Sequence, residues 1–302
     1  MEIGRVGVWA RTDGLSIGES VEFAQRVEAL GYGALWIPDA FGRDPLVHAG
    51  LLLAHTKRLV VATGIVNIHL REPIATVGAQ RALHEQSGGR FLLGLGVSHE
   101  PVMTRLLGRD YPRPLASMRA YLDAMALAPW AGPALAGDAP IVLAALGPKM
   151  LSLAAERTRG AHPYFAPPSN TARSRKLMGE RAWLCPEQKL LLESDPVRAR
   201  GRARAAMAGT LGLPNYRRNL VRAGFEEADF EDGGSDRLVD AIVGWGDLES
   251  LIDRVEAHLT AGATHVCIQA LDPDHPTRPD SKLLAALAPR LVRNAVGGSG
   301  VS

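Results

Sequence analysis

The stretch from residue 59 to residue 99 most constrains what this chain can fold into. It contains two apolar segments, 59–65 and 91–96, separated by a helical pattern that ends near Gln86. Both segments are apolar along their whole length, which indicates strands buried on both faces, as in a parallel sheet covered by helices. In parallel α/β proteins, ligands bind at the carboxyl ends of the strands. The small and polar residues that end each segment are therefore expected to belong to a binding site.

The same alternation of strands and helices extends over most of the 302 residues. Strands are predicted at 6–9, 34–37, 59–65, 91–96, 141–145, 161–165, 189–193 and 265–270. Eight buried strands alternating with helices predict an α/β fold of the (β/α)8 TIM-barrel type. We expect one barrel over 1–293, with an irregular helical insertion over 212–246, and a flexible tail over 294–302. A doubly wound open sheet is less favoured, because no Gly-x-Gly-x-x-Gly motif opens a helix.

Composition and charge argue against several classes of protein. The chain carries 34 basic and 32 acidic residues, a net charge of +2, which argues against a general nucleic-acid-binding protein. A basic run over 198–204 is interpreted as a solvated helix face, with a phosphate-binding patch as the alternative. Cys185 and Cys267 predict neither a disulfide framework nor a metal cluster. No signal peptide and no apolar run of about 18 residues occurs, so we expect a cytoplasmic protein without membrane contact.

Four motifs occur in an order and spacing that resemble a known family. They lie at 31–39, 62–65, 90–96 and 144–148. With these motifs the chain resembles the bacterial luciferase-like superfamily, whose TIM barrels bind FMN or the deazaflavin coenzyme F-420. The resemblance covers nearly the whole chain. The stretch 212–216, together with Phe225 and 241–246, is similar to the deazaflavin-dependent branch.

The resemblance implies a cofactor slot at the carboxyl ends of the first five strands. The family has a non-proline cis peptide after its third strand, which corresponds to Gly64–Ile65 here. Because it lacks a Cβ, Gly64 would let the backbone lie close to a cofactor ring, and an ordinary strand-terminating glycine is the alternative. The residues expected around the cofactor are Trp9, Asp39, Gly64, Ile65, Asn67, Val97, Ser98, Ala145, Leu146, Gly147 and Lys149.

The segment 146–149 opens a helix directly after the fifth strand. Free backbone N–H groups and the positive end of the helix dipole suit a phosphate. With the resemblance, the cofactor phosphate is expected at Leu146–Gly147, and from the residues alone a plain loop-to-helix transition is the alternative. The lactyl-polyglutamate tail of F-420 would need basic residues near the mouth of the barrel, such as Arg43, Arg71 or Lys149.

Three polar residues at the strand ends are candidates for the chemistry, namely Asp39, His69 and His99. The family places an acidic residue near the deazaflavin ring at the position of Asp39, and a helix-capping or salt-bridging role is the alternative. His99 follows the fourth strand, and His69 lies in the loop after the third. A histidine or a bound water would supply the proton. His162 and His265 lie in or beside strands, where we interpret them as packing residues.

One departure from the family bears on the substrate. Its sugar-phosphate dehydrogenases carry Asp-His after the second strand, but the pair here is Asp39-Ala40, and an alanine cannot transfer a proton. We therefore expect an apolar substrate, whose identity the sequence does not reveal. The leading hypothesis is an F-420-dependent oxidoreductase; an FMN-dependent monooxygenase and a non-catalytic ligand-binding barrel are the alternatives. As relatives pair, we expect a homodimer joined through the helices at 44–55 and 73–86.

Overall fold

The computed structural model describes residues 1–40, 42–135 and 137–292. Its strands are β1 (Val6–Trp9), β2 (Ala34–Ile37), β3 (Val60–Thr63), β4 (Val66–Asn67), β5 (Phe91–Gly96), β6 (Ile141–Leu143), β7 (Gly160–Ala161), β8 (Trp183–Leu184), β9 (Glu187–Leu192), β10 (Val243–Gly246) and β11 (Val266–Ala270). Its α-helices are α1 (Ile17–Ala29), α2 (Pro45–Ala54), α3 (Pro73–Gln86), α4 (Pro114–Leu127), α5 (Pro148–Arg157), α6 (Pro168–Met178), α7 (Pro196–Leu211), α8 (Pro214–Arg222), α9 (Asp236–Ile242), α10 (Leu248–Thr260) and α11 (Ser281–Leu291). A π-helical turn spans Val102–Leu106, and a 3-10 segment spans Glu227–Gly233.

The strands form one parallel sheet that closes on itself. Its order is β10-β9-β11-β1-β2-β3-β5-β6-β7-β8, with β4 paired to β5. β8 and β9 are two halves of one segment interrupted at Cys185-Pro186, so the β8 end of this order continues into β9 near its other end. The Cys185 N–H donates to the Ala161 oxygen at 2.9 Å, and the Cys267 N–H donates to the Pro186 oxygen at 2.8 Å. The sheet is therefore a closed barrel with helices around it, and the predicted fold class is confirmed.

The third predicted strand, 59–65, is interrupted in the structure. β3 ends at Thr63, and β4 begins at Val66. The Thr63 hydroxyl donates to the Gly94 oxygen at 3.0 Å and accepts from the Gly94 N–H at 2.8 Å. A side chain thus replaces the backbone pairing at the break, and for this reason the prediction of a continuous strand was wrong.

Other predicted bounds also differ from those observed. The predicted strand at 161–165 is reduced to β7, because Pro163 has no N–H to donate and Phe165 has a φ of 57°. The predicted strand at 189–193 begins earlier, at Glu187. The sequence analysis did not predict β8, β10 or α6. Their sequences show no clear strand or helix pattern, because β8 has two residues, β10 lies inside the insertion, and α6 is mostly polar.

The region predicted as a helical insertion contains α8, the 3-10 segment, α9 and β10. Their apolar side chains pack with Met207 of α7 in a cluster of their own. All four arginines of the basic run on α7 form ion pairs. Arg200 lies 2.6 Å from Asp240 and Arg204 lies 2.5 Å from Asp236, both in this region, whereas Arg198 and Arg202 pair with Glu193 just before α7. These ion pairs support the interpretation of the run as a solvated helix face.

Large rings fill the barrel interior. The Trp36 and His162 rings are stacked, with centroids 4.5 Å apart, and Trp36 Nε1 donates to His265 Nε2 at 3.1 Å. His162 Nδ1 donates to the Cys185 oxygen at 2.7 Å. A Cβ on Gly7 would lie 2.6 Å from His265 Nε2, so β1 needs a glycine there. Both histidines are buried, in agreement with their interpretation as packing residues.

Three further features concern the described ranges alone. Within them, every helix falls short of the length and apolarity that crossing a membrane requires. In the same ranges no group of three or more His, Cys, Asp or Glu side chains is placed to hold a metal ion, and Cys185 and Cys267 are buried free thiols. The predicted tail at 294–302 lies outside these ranges.

Three buried histidines predict a stability that decreases in acid. Burial lowers the pKa of His162 and of His265 to about 4, and that of His258 to about 3, from the ordinary value of 6.5. Below about pH 6.5 the unfolded chain binds these protons and the folded protein does not. The contribution of each histidine to the free energy of unfolding is therefore complete above this pH. It decreases by about 1.4 kcal/mol per pH unit as the pH falls toward the folded-state pKa.

Urea denaturation across this pH range measures the slope. His258 lies between Thr171 Oγ1, at 2.8 Å, and Gln188 Oε1, at 2.9 Å. His258→Gln places an amide between the same partners but cannot take up a proton, so we expect a slope smaller by about 1.4 kcal/mol per pH unit. His275→Gln, at an exposed position, is the control. Equal slopes in all three proteins would show that His258 does not contribute.

Candidate functional site

The Gly64–Ile65 peptide bond is cis, as predicted. It follows β3 at the carboxyl end of the barrel. Trp9 Nε1 donates to the Gly64 oxygen at 3.2 Å, and the Asp39 N–H donates to the Ile65 oxygen at 3.3 Å. The ends of the first three strands are thus bonded to one another. Trp9, Asp39, Gly64 and Ile65 form one wall of the candidate site.

The missing Cβ of Gly64 has a different explanation from the expected one. A Cβ at this position would lie 2.8 Å from Trp9 Nε1 and 3.1 Å from His162 Nε2. Both distances are shorter than an ordinary van der Waals contact. Gly64 therefore makes room for two buried rings of the protein itself, and a close cofactor ring is not needed to explain it.

Asp39 is a salt-bridged residue in this structure. Its carboxylate accepts from Arg71 Nη1 at 2.8 Å and from the Asn67 N–H at 3.3 Å. Arg71 Nη2 donates to Asp44 at 2.6 Å, and Asp44 also caps α2. Asp39 and Asn67 therefore hold the chain around Gly64–Ile65, the bulge between β3 and β4. A carboxylate whose oxygen is already held by a guanidinium and a backbone N–H suits orientation better than proton transfer.

The residues after β5 lie beside the bulge. A Cβ on Gly96 would lie 2.3 Å from Ile65 Cδ1, so Ile65 packs directly on this strand. Ser98 has a φ of 62°, and its oxygen accepts from the Tyr111 hydroxyl at 3.3 Å. A left-handed φ outside glycine is uncommon and needs surrounding structure to hold it. Val97 and Ser98 are thus placed at the predicted strand end, next to Ile65.

His99 contacts the insertion. Its Nδ1 lies 3.0 Å from Asn215 Oδ1, and its ring centroid lies 5.4 Å from that of Tyr216. An amide oxygen only accepts, so Nδ1 carries the proton and Nε2 of the neutral ring holds a lone pair. Burial lowers the pKa of His99, which favours the neutral ring. At neutral pH His99 is therefore suited to accept a proton, whereas the sequence analysis expected a histidine to supply one.

His69 lies in the loop between β4 and α3 and borders two cavities. Burial and the neighbouring Arg109 lower its pKa, and its Nε2 is buried without a hydrogen-bond partner among the described residues. The cavities, of about 360 Å³ and 320 Å³, share four lining residues, Ile68, His69, Pro73 and Tyr121. They lie between the loop and α4. His69 thus faces a different space from His99, which contacts α8.

The start of α5 is open to an anion. Gly147 is the N-cap residue, and no side chain caps this end of the helix. A Cβ on Gly147 would meet only Arg222 Nη1, at 3.9 Å, so a guanidinium from α8 lies beside the helix start. Ala145 is buried, Leu146 packs against the apolar cluster of the insertion, and Lys149 is exposed. The sequence analysis missed Arg222 because it lies far along the chain from this loop.

The sequence analysis also missed an aromatic cluster at this end of the barrel. The Tyr164 ring lies 5.1 Å from Trp9 and 6.1 Å from Tyr216, and Phe165 lies 5.5 Å from Tyr216. The cluster connects β1 to His99 through Tyr216. Tyr164 and Phe165 end the strand predicted at 161–165, and this position was a usable signal. Tyr216 reaches the cluster from the insertion, and nothing local in the sequence indicates it.

A buried ion pair contacts this cluster. Lys189 Nζ lies 3.0 Å from Glu187 Oε1, and the two side chains are 2% and 1% exposed. Nζ lies 4.0 Å from the centroid of the Tyr164 ring. Glu187 Oε2 accepts from the Phe165 N–H at 3.2 Å. In the sequence, Lys189 begins the strand predicted at 189–193 and Glu187 lies before that strand, so the pair was not predicted.

Comparison with known sequences identifies relatives. A family model described as luciferase-like monooxygenase matches residues 3–265. A Mycobacterium tuberculosis protein provisionally named a coenzyme F-420-dependent oxidoreductase is 30% identical over 200 residues, which are 56% of this chain and 56% of that protein. The chain therefore matches about half of that relative's length.

Solved structures share the fold over almost the whole chain. The coenzyme F-420-dependent tetrahydromethanopterin reductase of Methanopyrus kandleri matches with a TM-score of 0.71 and 17% identity, over 98% of this chain and 100% of that one. A type II Baeyer–Villiger monooxygenase from Pseudomonas putida, in complex with FMN, matches with a TM-score of 0.71 and 14% identity, over 97% and 99%. At these identities the similarity shows the fold alone.

The contact at Gly64 predicts a specific pattern of stability changes. Gly64→Ala is expected to lower the free energy of unfolding by about 1–3 kcal/mol, because its Cβ would press on Trp9 and His162. Trp9→Phe removes the nearer atom, so the double variant should lose less than the sum of the single variants. Gly201→Ala is the control, because nothing lies within 4 Å of the added Cβ. Urea denaturation measures all four variants, and strict additivity would contradict the contact.

Proposed function

Because the chain belongs to the luciferase-like monooxygenase family, we propose that it is an oxidoreductase that uses the deazaflavin coenzyme F-420 to transfer a hydride to or from a small organic substrate. The proposal is carried by three features that occur together at the carboxyl end of the barrel. They are the bulge at Gly64–Ile65, the aromatic wall and the uncapped start of α5. The relative and the solved structure named for F-420 support the deazaflavin.

The loop between β6 and α5 fits a phosphate. Its N–H groups in the first turn of α5 have no side-chain cap, and Arg222 adds a positive charge beside Gly147. Arg173 Nη1 donates to the Arg222 oxygen at 2.7 Å and so holds the end of α8 near this loop. Backbone N–H groups at a helix start and a guanidinium are the usual partners of a phosphate.

The anionic tail of F-420 needs cations that the protein has not already used. Arg43 donates to the Thr12 oxygen at 2.9 Å, and Arg71 is paired with Asp39 and Asp44. Arg222 is assigned to the phosphate, so we assign the tail to Lys149, and not to Arg43 or Arg71. The bound deazaflavin supplies the two-electron hydride chemistry, which no amino-acid side chain provides.

The residues around the bulge fit a flat ring. Trp9, Ile65 and Tyr164 offer apolar surfaces, and Ser98 and Asn67 offer polar groups at the edge. His99 is our candidate for proton transfer, with His69 as the alternative. Ala40 lacks any group that moves a proton, so we propose an apolar substrate instead of a sugar phosphate.

Two alternative functions and an oligomeric state complete the proposal. An FMN-dependent monooxygenase is the second candidate, supported by the fold match to an FMN-bound enzyme, and a barrel that only binds a ligand is the third. We also propose a homodimer joined through α2 and α3, because Val47 and Ile74 on these helices are 75% and 57% exposed. When a second copy of the chain covers apolar side chains this exposed, the free energy of the assembly decreases.

Fluorescence titration with F-420 and with FMN tests the cofactor. We expect F-420 to bind more tightly; tighter FMN binding would favour the monooxygenase, and binding of neither would favour the third candidate. Gly147→Asp should weaken F-420 binding about tenfold or more, because a carboxylate would oppose the phosphate. The same variant should not lose stability, since aspartate is a good N-cap residue. Gly201→Asp adds the same charge on α7, and equal binding by both variants would contradict the phosphate site.

His99→Ala should lower turnover by about 10²–10⁴-fold and change cofactor affinity little, if His99 moves the proton. When the substrate is oxidised, the neutral ring accepts the proton, so the rate should rise with pH through a value below 6.5 and then level off. Steady-state kinetics across pH measure this. His55→Ala, at an exposed position after α2, is the control. A native pH profile in His99→Ala would make His69 or water the proton carrier.

A further inference from the structure

We propose that Lys189 binds one negatively charged oxygen of the substrate, and that the substrate is a planar, mainly apolar, conjugated carbonyl compound. This inference rests on the oxidoreductase function proposed above and names a substrate class for it. It is carried by the partners, burial and surroundings of the Lys189 ammonium group.

The ammonium group has unused donors. It carries three N–H groups. One donates to Glu187 Oε1 at 3.0 Å, and among the described residues this is its only hydrogen bond. Its other neighbours there are the rings of Tyr164, at 4.0 Å, and Phe165, at 5.3 Å. Ring faces attract a cation but do not replace an oxygen acceptor. At 2% exposure, bulk water does not reach the group, which leaves capacity for another oxygen.

The charge around this group favours an anion. Glu187 is occupied, because one carboxylate oxygen accepts from Lys189 and the other from the Phe165 N–H. Burial lowers the pKa of Lys189, and the negative charge of Glu187 raises it. Arg11, which follows β1, is a second positive charge near Lys189 and also lowers this pKa. Among these three groups, two cations and one anion leave a net positive charge beside Lys189. An anionic oxygen would balance it.

The surrounding side chains define the rest of the substrate. Four aromatic rings lie around it in sequence: the ring centroids of Trp9–Tyr164, Tyr164–Tyr216 and Tyr216–Phe165 are 5.1, 6.1 and 5.5 Å apart. The Tyr164 hydroxyl already donates to Gln269 Oε1 at 3.1 Å. The cluster therefore offers flat apolar walls and one cation with free donors. A conjugated ring or chain that ends in a single polar oxygen matches this combination.

Such a substrate would give Lys189 a part in the reaction. Addition of a hydride to the β-carbon breaks the C=C π bond, and the electron pair moves through the conjugated system to place a negative charge on the oxygen. A proton taken up from water and transferred by His99 then forms the C–H bond at the α-carbon, which yields the saturated carbonyl compound. The reductant is the reduced deazaflavin of the proposed function. A cation held in place stabilises an oxygen where charge develops.

The test uses 4-nitrophenol, a planar probe whose phenolate has a visible absorption band and which needs no cofactor. At a pH below its solution pKa, we expect the native protein to bind it as the phenolate. Lys189→Met should bind at least about tenfold more weakly and only as the neutral phenol. Lys57→Met, an exposed lysine at the opposite end of the barrel, should match the native protein.

A second variant keeps the test decisive if Lys189→Met does not fold. The double variant Glu187→Gln with Lys189→Met contains no unpaired buried charge, and removing both partners of a buried pair is often tolerated. It should fold and lose phenolate binding. Phenolate binding by the double variant, or binding of only the neutral phenol by the native protein, would overturn the proposal. Phenolate binding without F-420 binding would reject the cofactor alone, and F-420 binding without phenolate binding would reject the Lys189 site alone.

Discussion

The limited space inside the closed barrel is the constraint on which the rest of this structure depends. A small parallel barrel has an interior that side chains alone can fill. Here Trp36 stacks on His162 and bonds to His265, and Trp9 bonds to the Gly64 oxygen. The strands can close around these rings only because backbone positions such as Gly7 and Gly64 carry no Cβ in their way.

The candidate site is built on that filled interior. Trp9 belongs to the buried core, and its indole N–H also holds the Gly64 oxygen, so the packing of the barrel and the geometry of the bulge depend on one side chain. The opposite wall has a different origin. Tyr216 and Asn215 belong to α8, and they contact His99 across the mouth. One wall is therefore part of the barrel, and the other depends on how the insertion packs.

The Lys189–Glu187 pair illustrates a conflict between stability and function. Removing two charges from water is costly, and apolar residues in their place often give an equal or more stable protein. The pair nevertheless lies at the carboxyl end of the barrel, where it contacts Tyr164 and holds the backbone of Phe165. Ionisable groups placed at such a cost are concentrated at functional sites. This placement is the physical basis for assigning them a role beyond packing.

The sequence by itself determined the features that short segments encode. Unbroken apolar segments indicated buried parallel strands, and the resemblance carried by the motifs placed the cis peptide at Gly64–Ile65. The sequence could not predict the contacts of Arg71 with Asp39, of His99 with Asn215, or of Lys189 with Tyr164. His99 and Asn215 are 116 positions apart, and their contact exists only because α8 packs over the barrel. Tertiary packing determines these contacts, because each of them depends on the burial free energy of many residues and not on the local preference of any one.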